Sequence, residues 1–376
     1  MSKTEREQQR QELVARRAAL KAAKLQAEGE RAVRKQEERA RIDEERRALD
    51  AIAAKAYDDY LLVRESARRM RECDDRAAFN YTKHERRTID GLARLWNASR
   101  EDVARLRRSC EPLSGVRAID YATSSSDLAM RLKRDLSMLR RQGAQELFVQ
   151  ESRALDGFGF EKHDELYNED TLTFFKAVVA LHDGAVLQPY RTSRERRLVW
   201  EIGGGWGGFA FQFKTLFPNV TYLITGRPDA FLVSAVYLKA VFPDARCRFF
   251  TDAPADLFHK WEEIDFIFAP ESALPSLRPP RLDLTMDIAT LGQMSVERVR
   301  SHVQQAFDLG CRYFYSLFAP GRPDVRAMVS DEVGHRYWPH SIPARRERWT
   351  PAVMGVEPEA PPDTVAHLVG WRRLCA

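Results

Sequence analysis

Apolar positions change their spacing twice along the 376 residues. From 1 to 76 they are sparse: Leu13, Leu20 and Leu25, then Ile42, Leu49 and Ile52, set among Ala, Glu, Arg, Lys and Gln. Those are the strongest helix formers, and opposite charges recur at helical neighbour spacings. The segment has no proline and a single glycine, Gly29. It reads as one long charged helix. The pairs 13/20 and 42/49 stand seven apart, but the heptad is not sustained between them. A weakly dimerising coiled coil and a solvated single helix are both compatible with that pattern. A basic nucleic-acid arm is disfavoured, because acids accompany the bases throughout.

From 77 to 150 the spacing becomes helical. Ile89, Leu92, Leu95, Trp96, Val103 and Leu106 recur at helical intervals. Asn97 ends one helix, and Ser99 with Asp102 opens the next as a capping box. The outline over 86–108 is that of a helix–turn–helix, which keeps a DNA-binding regulator among the alternatives, although helical hairpins rarely read DNA. A further amphipathic helix starts at Ser126 or Asp127, after a short serine hinge at 124–126.

From 151 to 376 short apolar runs alternate with helical stretches. The runs are 197–202, 220–225, 246–250, 264–269, 282–289 and 312–318; the helices are 209–217, 230–242 and 296–309. Such alternation predicts an α/β domain, a mostly parallel sheet covered by helices. The Pro-, Arg- and Trp-rich tail reads as irregular, with a last strand at 366–374.

After the first of these runs the chain has five glycines in the six positions 203–208, in "EIGGGWGG". Strand, glycine turn and helix in that order form a nucleotide cradle: without Cβ atoms the backbone turns at positive φ and a ligand can lie against unpaired N–H groups. Gly203-x-Gly205-x-x-Gly208 satisfies the dinucleotide pattern. Glu201-x-Gly203-x-Gly205-x-Gly207 satisfies that of S-adenosylmethionine (SAM) methyltransferases. Two features favour SAM. Glu201 ends the strand, where a carboxylate can hold an ammonium and would repel a pyrophosphate. The acid that a dinucleotide's ribose requires is absent or displaced, because the second strand ends Thr225, Gly226 and then Asp229.

Composition narrows the setting. A formal charge of +5 permits an acidic partner without demanding one. The five cysteines are scattered and show no CxxC spacing, which disfavours a disulfide framework or a metal site. No secretory leader and no membrane-length apolar run is present, so the expectation is a cytoplasmic protein.

The stretch 198–245 resembles the bacterial sugar O-methyltransferase family, with its E-I-G-G-G-x-G-G turn, its second strand and an F-P-D-type turn. "LDLTMDIATLGQM" stands where that family has a second strand–loop, matching at Asp283, Leu284 and Met294, and "YFYS" follows. The resemblance covers about 150–376. It implies a Rossmann-like SAM-methyltransferase sheet, with the N-terminal helices as an extension, acting on a hydroxyl of a saccharide or glycoconjugate in surface polysaccharide synthesis. Cofactor contacts are expected from Glu201, Gly203, Gly204, Gly205, Gly207, Thr225, Gly226 and Asp252. Gly226 replaces the family's ribose-binding Asp, a loss of about 1.5–3 kcal/mol unless Thr225, Asp229 or Asp252 compensates. That departure keeps a degenerate methyltransferase-fold scaffold among the readings. A sugar hydroxyl needs a base to take its proton; the candidates are Asp287, His335 and His340, with His163 a further one. "ELYNED" at 165–170 offers sugar contacts but reads first as a helix cap. The N-terminal helix would oligomerise the enzyme or tether a biosynthetic partner.

Overall fold

The computed structural model describes residues 3–73, 81–123, 126–141, 145–250, 256–318, 323–342 and 367–372. By internal contacts the chain divides into two units, Met1–Ala51 and Ile52–Ala376. The first lies within α1 (Lys3–Cys73), and Val33 and Ile42 on it are exposed. No helix among the described residues is long and apolar enough to cross a membrane.

In the second unit the end of α1 is followed by α2 (Lys83–Leu92), α3 (Arg100–Ala104), α4 (Glu111–Ser114), α5 (Ile119–Ala122) and α6 (Ser126–Leu139). Thr82 caps α2 and Ser99 caps α3, each through a reciprocal capping box with the residue three further on. The helix–turn–helix outline is not realised. α3 has only five residues, and Leu92, Leu95, Val103 and Leu106 are buried in the main core. The periodicity that suggested a reading helix is the packing face of a helical block.

A hairpin of β1 (Phe160–Lys162) and β2 (Glu165–Tyr167) leads into α7 (Glu169–Asp183), then α8 (Gln188–Thr192). Asn168 caps α7 and shares a reciprocal bond with Thr171, so this segment is the helix cap that its sequence suggests. The sheet then starts at its centre with β3 (Arg197–Ile202), followed by α9 (Gly208–Leu216), β4 (Val220–Gly226), α10 (Pro228–Val241), β5 (Cys247–Phe249), β6 (Phe266–Pro270) and β7 (Leu284–Ile288). It closes with α11 (Val296–Asp308), β8 (Tyr313–Leu317), α12 (Pro323–Gly334), β9 (Tyr337–Ile342) and β10 (His367–Arg372). The strand order is β5-β6-β4-β3-β7-β8-β10-β9, parallel except for β10, which runs antiparallel to both neighbours.

Alternation along the strands assigns the two faces. On β3, Val199 joins the core with α7, α9 and α10, whereas Leu198, Trp200 and Ile202 join the one under α11 and α12. Phe266 and Phe268 of β6 face the first, Ile267 and Ala269 the second. This is a doubly wound, Rossmann-like sheet with a helical N-terminal extension. The chain leaves β3 for β4 on one side and later takes up β7 on the other. The carboxyl end of β3 is thus the topological switch point, where a crevice opens.

Candidate active site

β3 carries Glu201 to that switch point, and the glycines behind it fold the chain back. Gly203, Gly204 and Gly205 have φ of 89°, 62° and 47°. A Cβ on Gly203 would stand 2.5 Å from the Thr290 side chain, and one on Gly204 2.3 Å from Ile224 Cγ2. At Gly205 nothing lies within 4 Å, so bare backbone borders open space. The Gly203 N–H donates to the Thr225 carbonyl at 2.6 Å and ties the turn to β4.

A cavity of about 770 Å³ lies against the turn, lined by Glu201, Gly204, Gly205 and Trp206. α7 contributes Glu169, Asp170 and Phe174, the N-terminal block Thr82 and His84, and the loop after β7 Gln293 and Met294. No lysine or arginine lines it among the described residues. Glu201 is 2% exposed. It accepts a 2.8 Å bond from the Tyr222 hydroxyl, and among the described residues no cation pairs with it. Burial, with Asp287 nearby, pushes its carboxyl up to about 8.

Asp170 differs. Burial raises its carboxyl, and Arg107 opposes the rise. The buried Arg107 donates to Glu151 Oε1 and Asp170 Oδ2, both at 2.8 Å, and its guanidinium carbon lies 3.7 Å from the Trp206 ring centroid. Trp206 donates to the same Asp170 oxygen at 3.1 Å. The tryptophan of the glycine turn is thus held by the helical block and by α7. Sequence reading missed this cluster. A hint was that Arg107 stands four residues after Val103, within the run of apolar positions at helical spacing.

A second cavity, about 90 Å³, meets the first at Leu113, Gly205, Ile288, Gln293 and Met294. Gly203, Thr225 and Gly226 line it, together with Glu85, Glu271 and His302. Arg298 also borders it, donating to Glu85 at 2.8 Å and to Glu271 at 2.6 Å.

The expected site residues separate into two groups. Glu201, Gly203, Gly204, Gly205, Thr225 and Gly226 converge on the two cavities. The Thr225 hydroxyl also accepts from Trp200 Nε1 at 2.8 Å. Gly207 lines neither cavity; at φ 90° it serves packing, its missing Cβ leaving room for Ser234 and Leu238 of α10. Asp287 does not reach the cavities as a base would. Its oxygens accept from the Thr290 and Leu291 N–H groups at 2.7 and 2.9 Å and from the Ser316 hydroxyl at 2.6 Å, so the carboxylate braces the loop. Burial raises its carboxyl to about 6. Asp229 is buried and accepts from Trp96 Nε1 at 2.8 Å, which makes it a tie to the helical block. His335 is exposed and lines neither cavity, and His163 stands exposed in the β1–β2 turn. His340 lies on β9 with its side chain outside the described residues, as is all of Asp252. His84, which sequence reading passed over, is the imidazole on the wall of the larger cavity.

No protein-family model matches the chain, and no curated protein matches it. Solved structures do. Magnesium protoporphyrin IX methyltransferase from Synechocystis PCC 6803, with bound SAM, is 12% identical over 56% of this chain and 86% of its own, at a TM-score of 0.33. The N-methyltransferase NodS from Bradyrhizobium japonicum WM9, in complex with S-adenosyl-L-homocysteine, is 9% identical over 51% and 86%, at 0.33. The N-terminal domain of human METTL16, in complex with the same product, is 9% identical over 58% and 76%, at 0.37.

Proposed function

We propose that the chain binds SAM across the glycine turn and transfers its methyl group to an acceptor hydroxyl in the larger cavity. One observation carries this reading: a buried carboxyl, Glu201, paired with no cation among the described residues, stands at the foot of a bare-backbone turn and lines a cavity of about 770 Å³. A carboxylate there is costly unless a ligand brings a positive charge. The ammonium of the cofactor's methionine end supplies one, and a pyrophosphate would add a second anion. When bound, the sulfonium supplies an activated methyl group and an excellent leaving group. The protein's own task is to hold the acceptor oxygen in line and to receive its proton.

The cavity wall supports an uncharged, hydroxyl-bearing acceptor, as a saccharide is. Phe174, Trp206 and Phe318 offer apolar faces, Glu169 and Gln293 offer acceptors, and the described wall holds no lysine or arginine for a phosphate. His84 is the group we assign to take the hydroxyl proton, being the imidazole on the cavity wall. Calorimetric titration with S-adenosyl-L-homocysteine tests the reading: wild type is expected to bind and Glu201→Gln to bind about ten- to a hundredfold more weakly. Equal affinities would contradict it.

A further inference from the structure

The smaller cavity answers the question raised by Gly226. β4 ends on Thr225 and Gly226 beside this cavity and offers no acid of its own to a ribose. Here a side chain is not merely missing: a Cβ at 226 would stand 2.9 Å from the Gly203 carbonyl oxygen. The glycine turn occupies the room that an acid on β4 would need.

Other acids border the same space. Glu85 of α2 and Glu271, the residue after β6, both line the cavity beside Gly203 and Gly226, and both are buried. Arg298 of α11 bonds to each of them, which fixes the two carboxylates in place. His302, one turn further along α11 and 1% exposed, also lines the cavity, as does Arg227, whose buried Nε has no hydrogen-bond partner among the described residues. The His302 Nδ1 lies 2.8 Å from the Arg298 carbonyl, an acceptor, so Nδ1 carries the hydrogen. Burial holds the ring neutral by lowering its basicity. Nε2 is then a lone pair without a hydrogen-bond partner, 3.8 Å from Glu271 Oε1. Glu271 Oε1 already accepts from Arg298 Nε at 2.9 Å, so the unpaired acceptor of the two is His302 Nε2. A buried acceptor left unpaired is costly, and a donor seated against Nε2 beside the Glu271 carboxylate would satisfy it.

We propose that this cavity is the seat of the cofactor's ribose, and that Glu271 and His302 accept hydrogen bonds from its vicinal hydroxyls, with Glu85 as the second carboxylate of the wall. The ribose acid that β4 lacks is supplied from the turn after β6 and from the N-terminal helical block. The inference rests on the SAM reading above and adds to it which residues read the sugar. A diol matches the site because it carries two donors on adjacent carbons. The volume of about 90 Å³ suits a fragment of that size and not a whole purine.

Isothermal titration of the full chain with S-adenosyl-L-homocysteine and with its 2′,3′-dideoxy analogue tests this. Wild type is expected to bind the dideoxy compound about ten- to a hundredfold more weakly than the parent. Glu271→Gln is expected to weaken the parent ligand and to shrink the gap between the two ligands to about threefold or less. Equal binding of both ligands by wild type would overturn the ribose assignment while leaving the cofactor reading intact, and would direct the acceptor pair to the adenine amine instead. Binding of neither ligand would overturn both. The wild-type comparison changes only the ligand, so it stands even where Glu271→Gln, having lost a partner for Arg298, fails to fold.

Discussion

In the proposed reading, Glu201 and the glycines after it set the chemistry at the scale of single residues. The carboxyl of Glu201 has an ordinary value of 4.5 and is raised to about 8 by burial. Between those values the folded chain holds a proton that the unfolded chain has lost. Stability therefore falls as pH rises across that window, and the contribution is gone above about 8. Glu201→Gln removes the exchange, so its melting temperature should change less than that of wild type between about pH 5 and pH 8. Parallel profiles, measured by scanning calorimetry, would show that the carboxyl is not protonated in the fold. Gly226→Asp tests the other end of the site. Restoring the acid forces Cβ against the Gly203 carbonyl, and we expect a loss of about 1–3 kcal/mol in urea unfolding with no gain in affinity for S-adenosyl-L-homocysteine. Glu201 and the glycines were legible in the sequence because the strand before them and the helix after them fix where they must sit. Asp287 was misleading. A carboxylate at the end of a strand reads as a base, but whether its oxygens already serve Thr290, Leu291 and Ser316 depends on loop geometry that no spacing encodes.

At the scale of elements, the short apolar runs of β3, β4, β6, β7 and β8 and the helical runs of α9, α10 and α11 fell close to their sequence bounds, because each pattern is local. β9 and the β1–β2 hairpin went unseen. β9 reads Tyr337–Trp338–Pro339–His340, and proline argues against an internal strand. It is tolerated because β9 is the edge of the sheet. The tie between α7, the helical block and the glycine turn was also hidden, since Arg107, Glu151, Asp170 and Trp206 come from four separate stretches. Removing Arg107 leaves two buried carboxylates without their cation. Arg107→Ala should therefore cost about 3–5 kcal/mol in urea unfolding. A loss under about 1 kcal/mol would mean that the cluster is not buried as described.

Over the whole molecule, the sequence placed the boundary of the charged helix near 76, whereas the compact unit begins at Ile52. The last turns of α1 are drawn into the main core through Tyr60, Val63 and Ala67, which no composition shift marks. Deleting residues 1–51 should leave the melting temperature and the affinity for S-adenosyl-L-homocysteine unchanged, because the two hydrophobic cores and both cavities are built from residues of Ile52–Ala376. A deletion that lowers either would refute the division. The central claim concerns the switch point at the end of β3. The most direct measurement is a crystal structure of the full chain grown with S-adenosyl-L-homocysteine. The account predicts the ligand astride Gly205, its ammonium within hydrogen-bond distance of the Glu201 carboxylate and its ribose in the smaller cavity. A ligand bound elsewhere, or a glycine turn that stays empty at saturating concentration, would contradict it.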